Sequence, residues 1–259
     1  MTARWWLAAF AWMLPAAALA QPVELCPGAT TSVQPDGRMF NHLPYRDTET
    51  SLLVSAPPGL SPEGRCVVHP ALLADLLRML ADADRDPQVA GMVRTLSCQR
   101  TVAYQRATFC AGIGIGLMQR AQSSAPPGFS EHATGYVIDF GTAEPDANCP
   151  RFEGCFAATR VGRWLIANAP RYGFEMSFPA GSRQRVTWEP WHWRWVGTHP
   201  LNPSALVARS IFAQARALYP ANPRPAEPAI AVTVSRPAVN PVATAAPPEP
   251  KGRKRRKRR

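Results

Sequence analysis

Two short stretches hold the residue types that bind a metal ion and move a proton. The first runs Ser130-Glu131-His132-Ala133-Thr134-Gly135-Tyr136-Val137-Ile138-Asp139-Phe140, with the imidazole of His132 and the carboxylate of Asp139 on either side of Gly135. From Ala133 onward apolar and polar residues alternate loosely, which predicts a buried strand carrying Asp139 near its end. The second runs Glu189-Pro190-Trp191-His192-Trp193-Arg194-Trp195-Val196. Two imidazoles and one carboxylate form a ligand set suited to a catalytic zinc ion with one position left open. Glu189, in a Glu-x-x-His pattern with His192, is then a spare carboxylate where a general base belongs.

Neither stretch is specific alone. A His and an Asp at this spacing arise by chance, and a His among tryptophans is most often a packed core residue. The combination is more telling: Ser-x-His-x-x-Gly-x-x-x-Asp followed by Glu-x-x-His in a Trp-rich segment resembles the VanY-type D-alanyl-D-alanine carboxypeptidases. These are LAS-type zinc metallopeptidases that trim bacterial cell-wall stem peptides. The resemblance runs over about residues 96–197 and includes a Pro-Gly turn at residues 125–129 and Tyr172-Gly173-Phe174. It also takes in Arg100 and Gln105, which match the Arg and Gln of an Arg-Ser-x-x-x-Gln motif at a helix start. Here Thr101 replaces the serine, and Gln99 stands where an aromatic is common.

The resemblance implies zinc held by His132, Asp139 and His192, with Glu189 as the proton-transferring base. Arg100 would support developing negative charge or the substrate's terminal carboxylate, since its fork of donors fits either. Ser130 and Gln105 would contact the substrate. Trp191, Trp193 and Trp195 share one face of an extended chain and are expected to wall the metal pocket, Trp191 as a substrate-binding residue. The implied reaction is hydrolysis of the terminal D-Ala-D-Ala bond of peptidoglycan stem peptides. Peptidoglycan endopeptidases and L,D-carboxypeptidases share the same ligand set and are the nearest alternatives. A non-catalytic envelope-binding protein is a reading of a different class; Glu189 speaks against it, because a binder needs no base. Neither Gly-x-Ser-x-Gly nor Ser-x-x-Lys occurs, which speaks against a serine-type D,D-peptidase. The glycine alternation at residues 111–116 lacks the spacing and the Lys-Ser/Thr end of a phosphate-binding loop.

The chain must position these groups within 259 residues, enough for one catalytic domain with appendages. Its formal charge of +11 is concentrated at the C-terminus: residues 251–259 hold eight Lys/Arg, leaving 11 − 8 = +3 for the rest. The catalytic region is therefore not a basic surface, and no specific nucleic-acid partner is expected. Residues 1–20 read as a secretory signal: Arg4, an apolar run from Trp5 to Leu14, and Ala18-Leu19-Ala20 before Gln21. Export to the periplasm or beyond follows as an expectation, as does oxidation of all six cysteines. Cys149 with Cys155 is the pairing expected from the short loop; proximity and elimination add Cys98 with Cys110 and Cys26 with Cys66.

The fold expected is α+β: a small, mostly antiparallel sheet carrying the zinc site, flanked by helices, in a single domain over residues 21–218. Residues 21–70 read as loop-rich with one or two edge strands; their His42 and His69 lack ligand spacing. Leu72, Leu73, Leu76, Leu77 and Leu80 mark one face of a helix over 71–83. A strand at 89–96, a helix at 101–122 weakened by glycines and a helix at 157–169 follow. Then come strands at 176–178 and at 185–188, the latter ending at Glu189, and a helix at 204–218. His199, beside Pro200, is a poor ligand candidate. Residues 219–250 read as a Pro/Ala-rich linker, with eight prolines in 221–250, leading to the basic tail. Behind a signal peptide, that tail suits anionic envelope polymers or lipids. A monomer is expected.

Overall fold

Helix α1 (Pro70–Arg85) forms where the leucines repeat with helical period, and it buries Leu72, Leu76, Met79 and Ala83. His69 caps it, Nδ1 accepting the Ala71 N–H at 3.2 Å, and Pro70 occupies the first turn, where no N–H is needed. The structure, a computed structural model, describes residues 22–61, 66–144 and 148–227. The signal segment, most of the linker and the basic tail lie outside the described residues. Among the described residues, no helix is long and apolar enough to cross a membrane.

The centre is a four-stranded sheet of β5 (Val93–Ser97), β6 (Val137–Thr142), β7 (Phe174–Met176) and β8 (His192–Trp195), in the order β5-β6-β8-β7. Every pair is antiparallel. Side chains alternate between faces, so the register sorts them chemically. Asp139 pairs with His192, and Glu175 with Arg194, on one face; Ile138 and Met176 both pair with Trp193 on the other. The second face is apolar and buried against helices, with Trp195 donating its indole N–H to Asp75 of α1 at 3.0 Å. Two small antiparallel pairs, β1 (Pro22–Cys26) with β2 (Ala29–Ser32) and β3 (Val54–Ser55) with β4 (Val67–Val68), cover the periphery. The fold is the expected α+β type, with helices α2 (Val102–Ala111), α3 (Leu117–Arg120), α4 (Arg160–Asn168), α5 (Pro203–Ile211) and α6 (Ala213–Leu218) around the sheet.

Several elements differ from expectation. Residues 131–134 form a 3₁₀ turn, so β6 starts at Val137 and Asp139 lies mid-strand. The turn ends on Gly135 at φ +72°, where a Cβ would also come within 2.8 Å of Leu53. Residues 101–122 are not one helix: the chain breaks after Ala111 into a 3₁₀ turn and restarts as α3 behind Gly116, at φ +85°. The strand expected at 185–188 is absent; Arg185 sits at φ +62°, incompatible with extended backbone. The last helix divides at Phe212.

Cys149–Cys155 is bonded as expected, but the other two pairings are corrected to Cys26–Cys110 and Cys66–Cys98. Sequence proximity misleads here because tertiary hydrogen bonds set the neighbours. The Gln99 N–H bonds the Val67 carbonyl, laying Cys98 beside Cys66. The Arg106 guanidinium reaches the Leu25 carbonyl at 2.6 Å, aligning α2 so that Cys110 meets Cys26. Residues 220–227, expected as linker, pack on the domain: the Met176 N–H bonds the Pro223 carbonyl, and Glu227 pairs with Arg209 and Arg216.

Candidate active site

Pairing of β6 with β8 sets Asp139 opposite His192, and the 3₁₀ turn brings in His132. His132 Nδ1 lies 2.6 Å from the Cys98 carbonyl oxygen, which can only accept, so the proton sits on Nδ1. Nε2 is left with its lone pair, 3.0 Å from Asp139 Oδ2. His192 presents the opposite nitrogen: Nδ1 is 3.0 Å from Asp139 Oδ1, while Nε2 is 3.1 Å from Glu131 Oε2. The two rings meet nearly perpendicular, centroids 4.9 Å apart.

One donor atom from each of His132, Asp139 and His192 falls within 4.8 Å of the others, and all three residues are buried. His132 Nε2 and Asp139 Oδ1 are buried atoms without a hydrogen-bond partner. Such orphans are rare in folded proteins, and a cation between them would satisfy both. Two imidazole nitrogens plus a carboxylate oxygen is also a zinc-type donor set. These residues fit a divalent ion.

The electrostatics agree with a site built around positive charge. Burial, reinforced by Arg100, pushes His132 down to about 4. For His192, burial opposes charge, but the carboxylates of Asp139 and Glu131 outweigh it and raise the ring to about 9. Asp139 is held well below the usual carboxylate range, the two imidazoles overcoming its burial. Glu189 behaves differently: burial pushes its carboxyl up to about 8, against the pull of His192 and Arg100. Its Oε2 lies 3.7 Å from His192 Nδ1, its side chain retains 14% exposure, and its N–H is anchored on the Phe178 carbonyl. A carboxyl that burial pushes up, open to the cleft beside the three candidate ligands, has the placement a general base requires.

These groups line a cleft of about 350 Å³ together with Arg100, Ser130 and Trp191. Arg100 Nη1 stands 3.9 Å from Asp139 Oδ2, and its backbone N–H bonds the His132 carbonyl. Its Nε is buried without a partner. Trp191 meets Phe152, from the loop closed by Cys149–Cys155, edge to face at 5.8 Å. Gln105 does not line the cleft. Its amide donates to Ser124 Oγ and the Ala125 carbonyl at 3.2 and 2.6 Å, bracing residues that do line it. Of the three tryptophans only Trp191 lines the cleft: it precedes β8 and escapes its alternation, whereas Trp193 and Trp195 lie on the strand face opposite His192. His199 is exposed and accepts the Leu201 N–H.

Among the cleft residues that the sequence does not single out are His42 and Glu131. His42, buried, bonds the Ala121 carbonyl at 2.7 Å through Nε2. Glu131, also buried, faces His192. The only sequence signal for Glu131 is a carboxylate directly before a ligand histidine.

A family model described as VanY, D-alanyl-D-alanine carboxypeptidase, matches residues 65–198, more than half of the chain and every residue of the cleft named above except His42. YodJ of Bacillus subtilis is 29% identical over 127 residues, covering 48% of this chain and 45% of that protein. A D-alanyl-D-alanine carboxypeptidase of Enterococcus faecium is 32% identical over 79 residues, 30% of this chain and 23% of that one. The chain thus spans less than half the length of either relative. Among solved structures, that of the LD-carboxypeptidase LdcB, described for its peptidoglycan recognition, superposes with a TM-score of 0.51 at 25% identity. It covers 65% of this chain and 77% of that one. With the site geometry and the match across both motifs in agreement, the chain belongs to the VanY D-alanyl-D-alanine carboxypeptidase family.

Proposed function

We propose that the chain is an exported, zinc-dependent D,D-carboxypeptidase that hydrolyses the terminal D-Ala-D-Ala bond of peptidoglycan stem peptides. The observation that carries this reading is the convergence of His132 Nε2, Asp139 and His192 Nδ1, with Glu189 Oε2 3.7 Å from the last of them. Zinc, when bound, supplies Lewis acidity at that point.

The chain's own residues do the rest. Glu189 takes the proton of the attacking water on its carboxylate and returns it to the leaving amine, a role worth about 10²–10⁴-fold. Burial favours the protonated carboxyl that the second half of that transfer requires. Arg100 offers its guanidinium to the substrate's terminal carboxylate or to the developing oxyanion. Ser130, buried at the cleft, offers a hydroxyl to the same carboxylate. Trp191 and Phe152 wall one side and limit water access, which strengthens each charge interaction. Outside the catalytic region, residues 1–20 would direct export and residues 251–259 would hold the protein to anionic envelope polymers or lipids.

The likeness to LdcB favours a second reading, an L,D-carboxypeptidase using the same groups. One assay separates the two: incubate the protein with stem peptides ending in D-Ala-D-Ala or in a single D-Ala after an L-centre, with and without chelator, and identify products by mass. Chelator-sensitive loss of one D-Ala from the first peptide is the expected result. Cleavage of the second peptide alone would replace the D,D reading by the L,D one, and chelator-insensitive cleavage would remove zinc from it.

A further inference from the structure

Glu131 takes no part in the proton transfer above, yet it is buried against the outer edge of a metal-ligand ring. We propose that Glu131 is a positioning residue for the metal site. By accepting the Nε2–H of His192 it fixes the ring and the tautomer that leave Nδ1 as donor to the ion. The proposal rests on the zinc reading and deepens it.

A neutral imidazole carries one N–H. On His192 the Nε2 edge faces the carboxylate of Glu131 at 3.1 Å, and the Nδ1 edge faces Asp139 at 3.0 Å. With an ion bound at Nδ1, the proton has one place to go, and an acceptor waits there. The ring separates Glu131 from the ligand cluster, so Glu131 is neither a ligand nor a second base. A carboxylate behind a metal-bound imidazole sets its orientation and raises its basicity.

Glu131 is itself immobilised. Its Oε2 also accepts from Ser177 Oγ at 2.6 Å, and its Oε1 accepts from Arg194 Nη1 at 2.7 Å. Arg194 Nε donates to Glu175 at 2.8 Å, and Glu175 accepts from Arg216 Nε at 3.1 Å. Arg216 and Arg209 then both pair with Glu227. Charges alternate from the imidazole to the edge of the domain. Glu131, Arg194 and Glu175 are almost fully buried, and apolar residues of similar volume would often fill such space at no loss of stability. A buried ionic chain that ends on one nitrogen of a metal ligand is therefore explained by what it does to that nitrogen.

The test uses the full chain with Glu131→Gln, which keeps the shape and an oxygen acceptor but removes the charge. Zinc affinity is measured by competition with a chromophoric chelator, and the d–d absorption bands are recorded after cobalt(II) loading. Expected are zinc binding weaker by about 10–100-fold and displaced cobalt bands, in a variant with wild-type circular dichroism. A folded variant with wild-type affinity and an unchanged cobalt spectrum overturns the proposal, because a residue that merely anchors Arg194 would leave both untouched. Should the variant fail to fold, ¹⁵N-edited NMR of the unmodified zinc-loaded chain decides. An exchange-protected, downfield Nε2–H on His192 supports the proposal, and a proton on Nδ1 defeats it. No zinc binding by the unmodified chain takes down the metal reading as well, whereas a wild-type-like Glu131→Gln variant sinks this proposal alone.

Discussion

The two imidazoles of the site are supported by different kinds of structure. His132 leans on a main-chain carbonyl, that of Cys98, held in place by the Cys66–Cys98 bond and by the Gln99 N–H on Val67. His192 leans on a side-chain carboxylate embedded in alternating buried charges. A carbonyl is present whatever residue stands at that position, so the first support depends on where the backbone is pinned. The second depends on the identity of each member, since removing one partner strands another's charge. One candidate ligand is thus held through backbone that a disulfide pins, and the other through buried ion pairs.

Four measurements sharpen or break that contrast. The largest effect lies where both sides meet: Glu189→Gln should lower turnover about 10²–10⁴-fold while zinc stoichiometry by metal analysis stays at one. Loss of zinc with the substitution would mean that Glu189 belongs to the supporting structure. Next, Arg194→Met strands Glu131 and Glu175 in the interior, and urea denaturation should show a loss of about 3–5 kcal/mol. A loss below about 1 kcal/mol would show that the charged chain carries little of the His192 side. Joint replacement of Cys66 and Cys98 by serine reopens a loop of sequence separation 32. It should cost about 3–4 kcal/mol on chain-entropy grounds, with weaker zinc binding as the Cys98 carbonyl moves. Unchanged zinc affinity in that variant would detach the disulfide from the His132 side. The smallest effect is expected for Thr101→Ala, which removes the cap that accepts the Tyr104 N–H at 3.1 Å just beyond Arg100. About 1 kcal/mol should appear in thermal or urea unfolding, with zinc affinity preserved.

The sequence reveals one half of this contrast more readily than the other. That His132, Asp139, His192 and Glu189 meet is legible because a metal-type donor set restricts residue type and spacing within two short stretches. Helix α1 is legible because its leucines keep one period. The supports are not. Glu131, Ser177 and Arg194 meet across separations of 46 and 63 residues, and no local pattern encodes such contacts. The disulfides fail for the same reason: all four cysteines of the misassigned pairs are brought to their partners by tertiary hydrogen bonds rather than by neighbourhood in the chain. The strand expected at 185–188 does not form, because a left-handed residue at Arg185 interrupts it. The glycines at 112–116 correctly signalled weakness in a helix, and the structure turns that weakness into a break. Gln105 shows a subtler limit: it falls in a recognisable motif position, and its amide is spent on the backbone at Ala125 instead of facing the cleft.

The eight residues after Tyr219 have a practical bearing. Composition alone invites cutting the chain at the end of α6, yet Pro223 bonds the backbone of β7, and Glu227 gathers Arg209 and Arg216, the latter also touching Glu175. Anyone trimming the protein for expression, or grafting a reporter onto it, should keep everything through Glu227. A shorter version would leave two arginines without their shared counter-ion at the far end of the line of charges that begins at His192.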